Sequence, residues 1–325
     1  MAEPLNATFF AFRKREPGGV LVRTSIAFAL VAAILIAAFI ALLWGSIGPV
    51  LTWYTQIISA AATNDTTAIQ NAGFPSEIFR FVGVMFLWLF PFYILCAAYE
   101  AACLRWMIHG ESEGFMGLSL SASTWRVWCC YWMWFLLNIA LSIVTSIASG
   151  VVTGVMVMSS GDPAALLAAT LGVNLLQYVV MAYFAVRFAP GAATTIARRR
   201  FSFFDAWTVT KGRFFALLGA FVLLWLIYAA FSLALTAAWL SFALGNVTVD
   251  WSSFSDPARA EAAFLELFQA YMQTLLQPQS WAIVGALWVL GTIAGIVFYV
   301  ASYGVNARAA IAALDEGKIQ VAVDS

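Results

Sequence analysis

Six long apolar runs dominate the chain, and its polar residues are concentrated between them. A helix that crosses a bilayer needs about 20 mostly apolar residues. The runs that reach this length cover residues 25–44, 79–99, 127–150, 166–186, 214–235 and 281–303. The pattern therefore predicts an all-α, polytopic membrane protein with six transmembrane helices.

Composition supports lipid as the solvent for most of this surface. The 325 residues are 63% hydrophobic and only 10% charged, whereas a soluble domain carries about 25% charged residues. The net charge of zero gives no general attraction to nucleic acid. We expect one transmembrane domain over 1–325, with an N-terminal segment (1–24), a six-helix bundle (25–303) and a C-terminal tail (304–325).

Basic residues fall almost entirely on alternate sides of the predicted helices. Those assigned to one side are Arg13, Lys14, Arg15, Arg23, Arg105, Arg126, Arg187, Arg198, Arg199, Arg200, Lys211, Arg213, Arg308 and Lys318. Only Arg80 and Arg259 fall on the other side. Because cytoplasmic loops carry the excess of Lys and Arg, both termini are predicted to be cytoplasmic.

Two outer segments have a character of their own. Gly45, Gly48 and Pro49 are expected to end the first helix, which would leave residues 50–62 as a separate piece in the membrane interface. Residues 256–278 are predicted to form an amphipathic outer helix that starts at Asp256 and ends at Pro278. This helix could rest on the membrane, dock a partner or cover a substrate.

The inner segments resemble one another, because each even-numbered run ends in a tyrosine that is followed closely by an arginine. The pairs are Tyr99 with Arg105, Tyr183 with Arg187, and Tyr303 with Arg308. Weak internal symmetry is common among membrane folds. The pattern predicts three helical hairpins that arise from one unit.

Residues 201–214, which read FSFFDAWTVTKGRF, carry a family resemblance. An apolar-Ser-apolar step leads to Asp205-Ala206-Trp207, and Thr210-Lys211-Gly212 then precedes a span. This segment resembles a broad group of bacterial six-helix proteins, which includes uncharacterised inner-membrane proteins and the membrane domain beside some glycerophosphodiester phosphodiesterases. The resemblance implies the fold and a bacterial inner membrane, and it implies no catalytic residues.

A candidate intramembrane polar site consists of Asn138 in the third run and Asn174 and Gln177 in the fourth. Residues three apart share a helix face, so Asn174 and Gln177 are expected on one side. Polar groups at membrane depth are costly and invite a functional interpretation. They would bind a polar headgroup or hydrogen-bond between helices.

A candidate charged cluster consists of Glu100, Arg105, Arg187 and Arg308. Glu100 lies at the inner hydrocarbon edge, where a carboxylate needs a partner or water. Arg187 and Arg308 are its expected partners, because they occupy equivalent places in the other two hairpins. The cluster would tie the hairpins together, or act as a gate or anion site.

No catalytic, cofactor or metal-binding constellation is predicted. The four cysteines are interpreted as buried, soft hydrophobic side chains, and His109, Glu111 and Glu113 as a solvated, glycine-containing loop. We therefore expect a non-enzymatic scaffold or assembly protein, with a permease or lipid-handling protein as the alternative. Expected partners are membrane lipids, anionic lipids at the inner face among them, and a second membrane protein.

Overall fold

The computed structural model describes residues 7–13, 19–62, 67, 73, 75–159, 163–244 and 277–322, together with single positions between 259 and 274. Its α-helices are α1 (Phe10–Arg13), α2 (Val20–Ala62), α3 (Ser76–His109), α4 (Ala122–Ser159), α5 (Pro163–Phe188), α6 (Gly191–Ala197), α7 (Ala206–Thr210), α8 (Phe214–Leu244) and α9 (Trp281–Asp315). Single 3-10 turns at Phe203–Asp205 and Pro278–Ser280 precede α7 and α9.

Six of these helices, α2, α3, α4, α5, α8 and α9, are long and apolar enough to cross a membrane. Each contains one of the six predicted runs, so the all-α, six-helix fold class is confirmed. The three-hairpin repeat stays a prediction.

The first long helix contradicts the expected break after Trp44. Helix α2 continues without interruption through Pro49 to Ala62, a run of 43 residues. At 1.5 Å per residue it is about 65 Å long, roughly twice the hydrocarbon thickness. Proline removes one backbone donor, but transmembrane helices tolerate that loss when their surroundings satisfy the freed groups. Residues 50–62 are therefore not a separate interfacial piece.

The chain divides into two compact units. The second unit contains residues 30–92 and 225–298. Within it, α2 contacts α3 through Phe39 and Trp88, whose rings lie 5.2 Å apart. Helices α8 and α9 contact through the stacked rings of Tyr228 and Phe298 at 4.7 Å. Large apolar side chains thus hold these helix pairs.

The first unit, residues 1–29, 93–224 and 299–325, has a core of small residues. Thirteen of its buried positions in α3, α6 and α9 are alanines: Ala97, Ala98, Ala101, Ala102, Ala192, Ala193, Ala197, Ala301, Ala307, Ala309, Ala310, Ala312 and Ala313. Small residues let helix backbones approach closely. We call the arginine-bearing helix ends in this unit the basic end.

Short α1 packs directly on α9. A Cβ atom placed on Gly304 would lie 2.8 Å from Ala11 Cβ and 2.9 Å from its backbone nitrogen. Only glycine permits this approach, and both Ala11 and the nearby Ala7 are buried. Residues 7–13 are therefore packed into the first unit.

The outer helix predicted for 256–278 lies largely outside the described residues, so it stays a prediction. Among its described positions, the ring of Tyr271 lies 5.9 Å from that of Trp239. Thr274 donates a hydrogen bond to the carbonyl of Ala243 at 3.2 Å. Both contacts join the segment to α8.

Candidate functional site

The most densely connected polar group at the basic end is the guanidinium of Arg105 on α3. Its side chain is only 5% exposed. It donates to five oxygens, which belong to Glu113 (2.6 Å), Ser121 (2.8 Å), Ser123 (2.9 Å), Ser119 (2.9 Å) and the carbonyl of Gly117 (3.4 Å). A buried charge is tolerated only when it is paired and hydrogen-bonded, and this network meets that requirement.

Four of the acceptors come from the connection between α3 and α4, residues 110–121, and Ser123 lies in the first turn of α4. Four backbone positions of this connection have positive φ: Gly110 (73°), Gly114 (78°), Met116 (52°) and Gly117 (98°). Thr24 of α2 donates to the carbonyl of Met116 at 3.0 Å and fixes the turn from outside. The predicted solvated loop is thus a structured cradle for Arg105.

His109 does not lie in that loop. It is the last residue of α3, and its Nε2 lies 3.0 Å from the carbonyl oxygen of Ile196 in α6. The imidazole therefore joins two helices. Within the described residues there is no group of three or more side chains that could hold a metal ion.

A cleft of about 250 Å³ opens beside Arg105. Its charged lining residues are Arg105, Arg126, Arg199, Glu111 and Glu113, and hydroxyl groups come from Ser121 and Ser123. Arg199 pairs with Glu111, and Arg105 pairs with Glu113. Arg126 forms no ion pair within the part of the chain that the structure describes. We call this the arginine cleft.

Glu100 does not meet the arginines that the sequence suggested. It is 6% exposed and accepts a hydrogen bond from the Tyr131 hydroxyl at 2.6 Å. Among the described residues it forms no ion pair. Next to it along α3, the hydroxyl of Tyr99 is bonded to Ser25 at 2.7 Å. The expected Glu–Arg pairing is replaced by the hydroxyl of Tyr131.

Arg187 is held by aromatic rings instead of a carboxylate. Its guanidinium carbon lies 5.3 Å, 4.9 Å and 5.3 Å from the ring centres of Tyr183, Trp207 and Phe214. Such a cation–π arrangement stabilises a desolvated guanidinium. The charge of Arg187 is therefore stabilised without an ion pair to Glu100. Arg308 is partly buried and forms no ion pair among the described residues. No ion pair therefore joins Glu100 to the three arginines of the predicted cluster among the described residues.

The segment that carries the family resemblance has a structural role at each marked position. Asp205 pairs with Arg198, and Trp207 stacks on Arg187. Thr210 accepts from Arg187 at 3.4 Å, and Gly212 turns the chain with φ of 80° before α8. These residues position the helix ends, and none of them faces the arginine cleft.

The three predicted intramembrane polar residues differ in their surroundings. Asn138 donates to the carbonyl of Trp134 at 2.8 Å, one turn earlier in α4. Asn174 is exposed on α5, and Gln177 is partly exposed. No hydrogen bond joins them within the described residues.

The cysteines follow the prediction only in part. Cys103 and Cys130 are buried, Cys96 is partly buried, and Cys129 is exposed. Cys130 Sγ lies 3.4 Å from the hydroxyl of Thr195 in α6, which fits its interpretation as a packing residue.

Comparison of the chain with protein-family models, with curated proteins and with solved structures finds no match. The resemblance of residues 201–214 to the six-helix group therefore stays a prediction. The structural arguments that follow rest on the chain's own residues.

The C-terminal tail is fastened across the basic end. Ala322 donates its backbone N–H to the carbonyl of Arg198 at 3.0 Å, and Ile319 is buried. Glu316 pairs with Arg213 and lies 2.9 Å from Lys318. The hydrogen bond from Lys318 and the charge of Arg213 lower the pKa of Glu316 from its ordinary value of 4.5.

This tail gives the protein a predicted acid sensitivity. A lowered folded-state pKa means that ionised Glu316 stabilises the folded state above pH 4.5, and that this contribution is lost as the pH falls through the lowered value. The melting temperature of the wild type should exceed that of Glu316→Gln at neutral pH, and the two should converge once the pH falls below the lowered pKa. Asp315→Asn, at an exposed neighbouring position, is the control. A gap that persists in acid would contradict the assignment.

Proposed function

We propose that the chain is a non-enzymatic integral protein of a bacterial inner membrane, with both termini in the cytoplasm, that serves as a scaffold for a second membrane protein. The localisation is supported by the Lys and Arg residues at the basic end, which the positive-inside rule assigns to the cytoplasm. A reporter fused after residue 325 should be active on the cytoplasmic side. Activity on the opposite side would contradict this orientation.

The observation that carries the scaffold role is the exposed amide of Asn174 on α5. Leu171, Leu175 and Tyr178 around it are 61%, 66% and 74% exposed, so the amide lies on an apolar helix surface. It is 13 residues from Arg187 at the basic end, or about 20 Å along the helix, which is well inside the hydrocarbon region. A polar group at that depth is costly unless it is hydrogen-bonded, and a partner helix would supply the bond.

A matched pair of substitutions tests this role. Asn138 lies 12 residues from Arg126, at similar depth, but its amide is already bonded within its own helix. After extraction of native membranes with a lipid-retaining polymer, the wild type and Asn138→Leu should retain a stoichiometric protein partner. Asn174→Leu should lose that partner.

The scaffold role would be refuted if the wild type carried lipid alone, or if both substitutions left the same partner in place. The melting temperature of Asn174→Leu should equal or exceed that of the wild type, because the change only removes an exposed amide. A loss of the partner would then not be attributable to unfolding.

One observation favours the second candidate, a lipid-handling or small-molecule-handling protein. The arginine cleft is a polar cavity at the end of the membrane helices, where a headgroup would lie. If Asn174→Leu had no effect on association while lipid copurified in a fixed ratio, this candidate would replace the scaffold.

A further inference from the structure

We propose that the arginine cleft is a binding site for a phosphate group, carried by an anionic lipid headgroup or by a small soluble phosphate ester. The site stands on its own geometry and does not depend on the scaffold role. Three guanidinium groups face two carboxylates in its lining, so the cleft retains one net positive charge. Its volume of about 250 Å³ exceeds that of several waters at about 30 Å³ each.

Arg126 is the anchor of the proposed site. It lines the cleft, is partly buried and has no carboxylate partner in the described part of the chain. Its position in the first turns of α4 lies within reach of the cleft hydroxyls of Ser121 and Ser123. Guanidinium groups match the oxygens of phosphate with paired N–H donors, so an unpaired arginine here favours an oxyanion.

The N-terminus of α4 borders the same cleft. The 38-residue helix α4 begins at Ala122, and its first turn is closed by the N–H of Thr124 on the carbonyl of Ser121. The N–H groups of Ala122 and Ser123 precede that first bond and have no intrahelical acceptor. Both residues line the cleft. A helix N-terminus of this kind favours a phosphate through its dipole and its N–H groups.

Arg105 adds a buried cation to the wall of the cleft. Its side chain is only 5% exposed and lines the cleft. Its Nε has no hydrogen-bond partner among the described residues. The one anion that it holds, Glu113, is 52% exposed. The carboxylate of Glu113, which belongs to a surface loop, thus pairs with buried Arg105 at the wall of the cleft.

This arrangement makes Glu113 an internal competitor of the ligand. A bound phosphate and the Glu113 carboxylate would repel each other, so the loop carboxylate must turn toward solvent when the ligand binds. Its half-exposed position permits that movement without burial of a new charge. Removal of the carboxylate should therefore raise the affinity for phosphate.

The test uses the purified full-length protein in a zwitterionic detergent. Two probes are titrated, inorganic phosphate and phosphatidylglycerol in mixed micelles, and binding is followed by calorimetry and by the rise in melting temperature. We expect saturable one-to-one binding to the wild type. Arg126→Gln should weaken it about tenfold or more, since a hydrogen bond to a charged group contributes at least that factor.

Matched variants separate a site from general attraction to a basic surface. Arg23→Gln removes an exposed arginine outside the cleft and should leave both titrations unchanged. Glu113→Gln should bind more tightly than the wild type, although it removes an ion pair and melts at a lower temperature without ligand. A gain in affinity cannot result from partial unfolding.

The two probes identify the source of the phosphate. Binding of phosphatidylglycerol without inorganic phosphate assigns the site to a lipid headgroup, and binding of both assigns it to phosphate esters in general. The proposal is overturned if neither probe binds in a one-to-one ratio. Equal weakening by Arg126→Gln and Arg23→Gln, or a Glu113→Gln variant that binds no more tightly than the wild type, would also overturn it.

Discussion

Replacement of Arg105 by methionine is expected to lower the free energy of unfolding by about 2–4 kcal/mol. The substitution removes the guanidinium that donates hydrogen bonds to five oxygens. Glu113 is half exposed, so water would hydrate its carboxylate after the substitution. The serine hydroxyls and the Gly117 carbonyl are better shielded, and they would be left without the donor that orients them.

The lysine variant tests whether geometry or charge matters more. Arg105→Lys keeps the positive charge but has a single nitrogen, which cannot reach both sides of the cradle as the planar guanidinium does. We expect its stability to lie between that of the wild type and that of Arg105→Met. Arg23→Met, at an exposed position of α2, is the control and should change the melting temperature little.

Denaturant or thermal unfolding in detergent measures these differences. If Arg105→Met melted within experimental error of Arg23→Met, the network around Arg105 would not be a stability determinant. If Arg105→Lys matched the wild type, a point charge would suffice and the fork geometry would be irrelevant.

The six membrane helices could be predicted from sequence because the length of an apolar run is a local property. Every predicted run lies inside one long helix. The ends were predicted less well, since they depend on contacts between distant segments. Glycine and proline near residue 49 suggested a break, yet α2 runs through them. Near Tyr99 and Tyr303 the helices extend for another two or three turns because buried alanines pack there.

The charged residues show why the site itself was only partly predictable. Arg105 was singled out, but only as a member of the charged cluster expected around Glu100. Its real partners come from the adjacent loop and the first turn of α4, where Ser119, Ser121 and Ser123 follow three glycines at alternate positions. That spacing was available in the sequence as a signal for a cradle. The aromatic rings around Arg187 could not be predicted from the sequence. Trp207 and Phe214 are brought to Arg187 only by the fold of the segment after α6.

The intramembrane amides also show that side-chain contacts are harder to predict than helices. Both Asn138 and Asn174 were correctly expected to lie on long membrane helices. A sequence cannot show that one amide is satisfied by the Trp134 carbonyl while the other is exposed. That difference depends on side-chain orientation. It supports the proposal that Asn174 on α5 contacts a partner helix.

Replacement of Gly114 by alanine is expected to lower the free energy of unfolding by about 2–5 kcal/mol. Its φ is 78°, a conformation that disfavours any side chain, and an added Cβ would lie 2.1 Å from the carbonyl oxygen of Leu118. Because the contact is with backbone, the loop must move as a whole. Glu113 and the serine cradle of Arg105 would move with it.

Gly110→Ala is a matched control, because it separates backbone strain from steric overlap. Gly110 has a similar φ of 73°, but an added Cβ would meet no atom within 4 Å. It should therefore cost only the strain of a left-handed residue, about 1–2 kcal/mol. Melting temperatures in detergent should fall in the order wild type, Gly110→Ala, Gly114→Ala. Equal values for the two variants would show that the loop relaxes freely, and the cradle would then not be rigid enough to hold Arg105 in place.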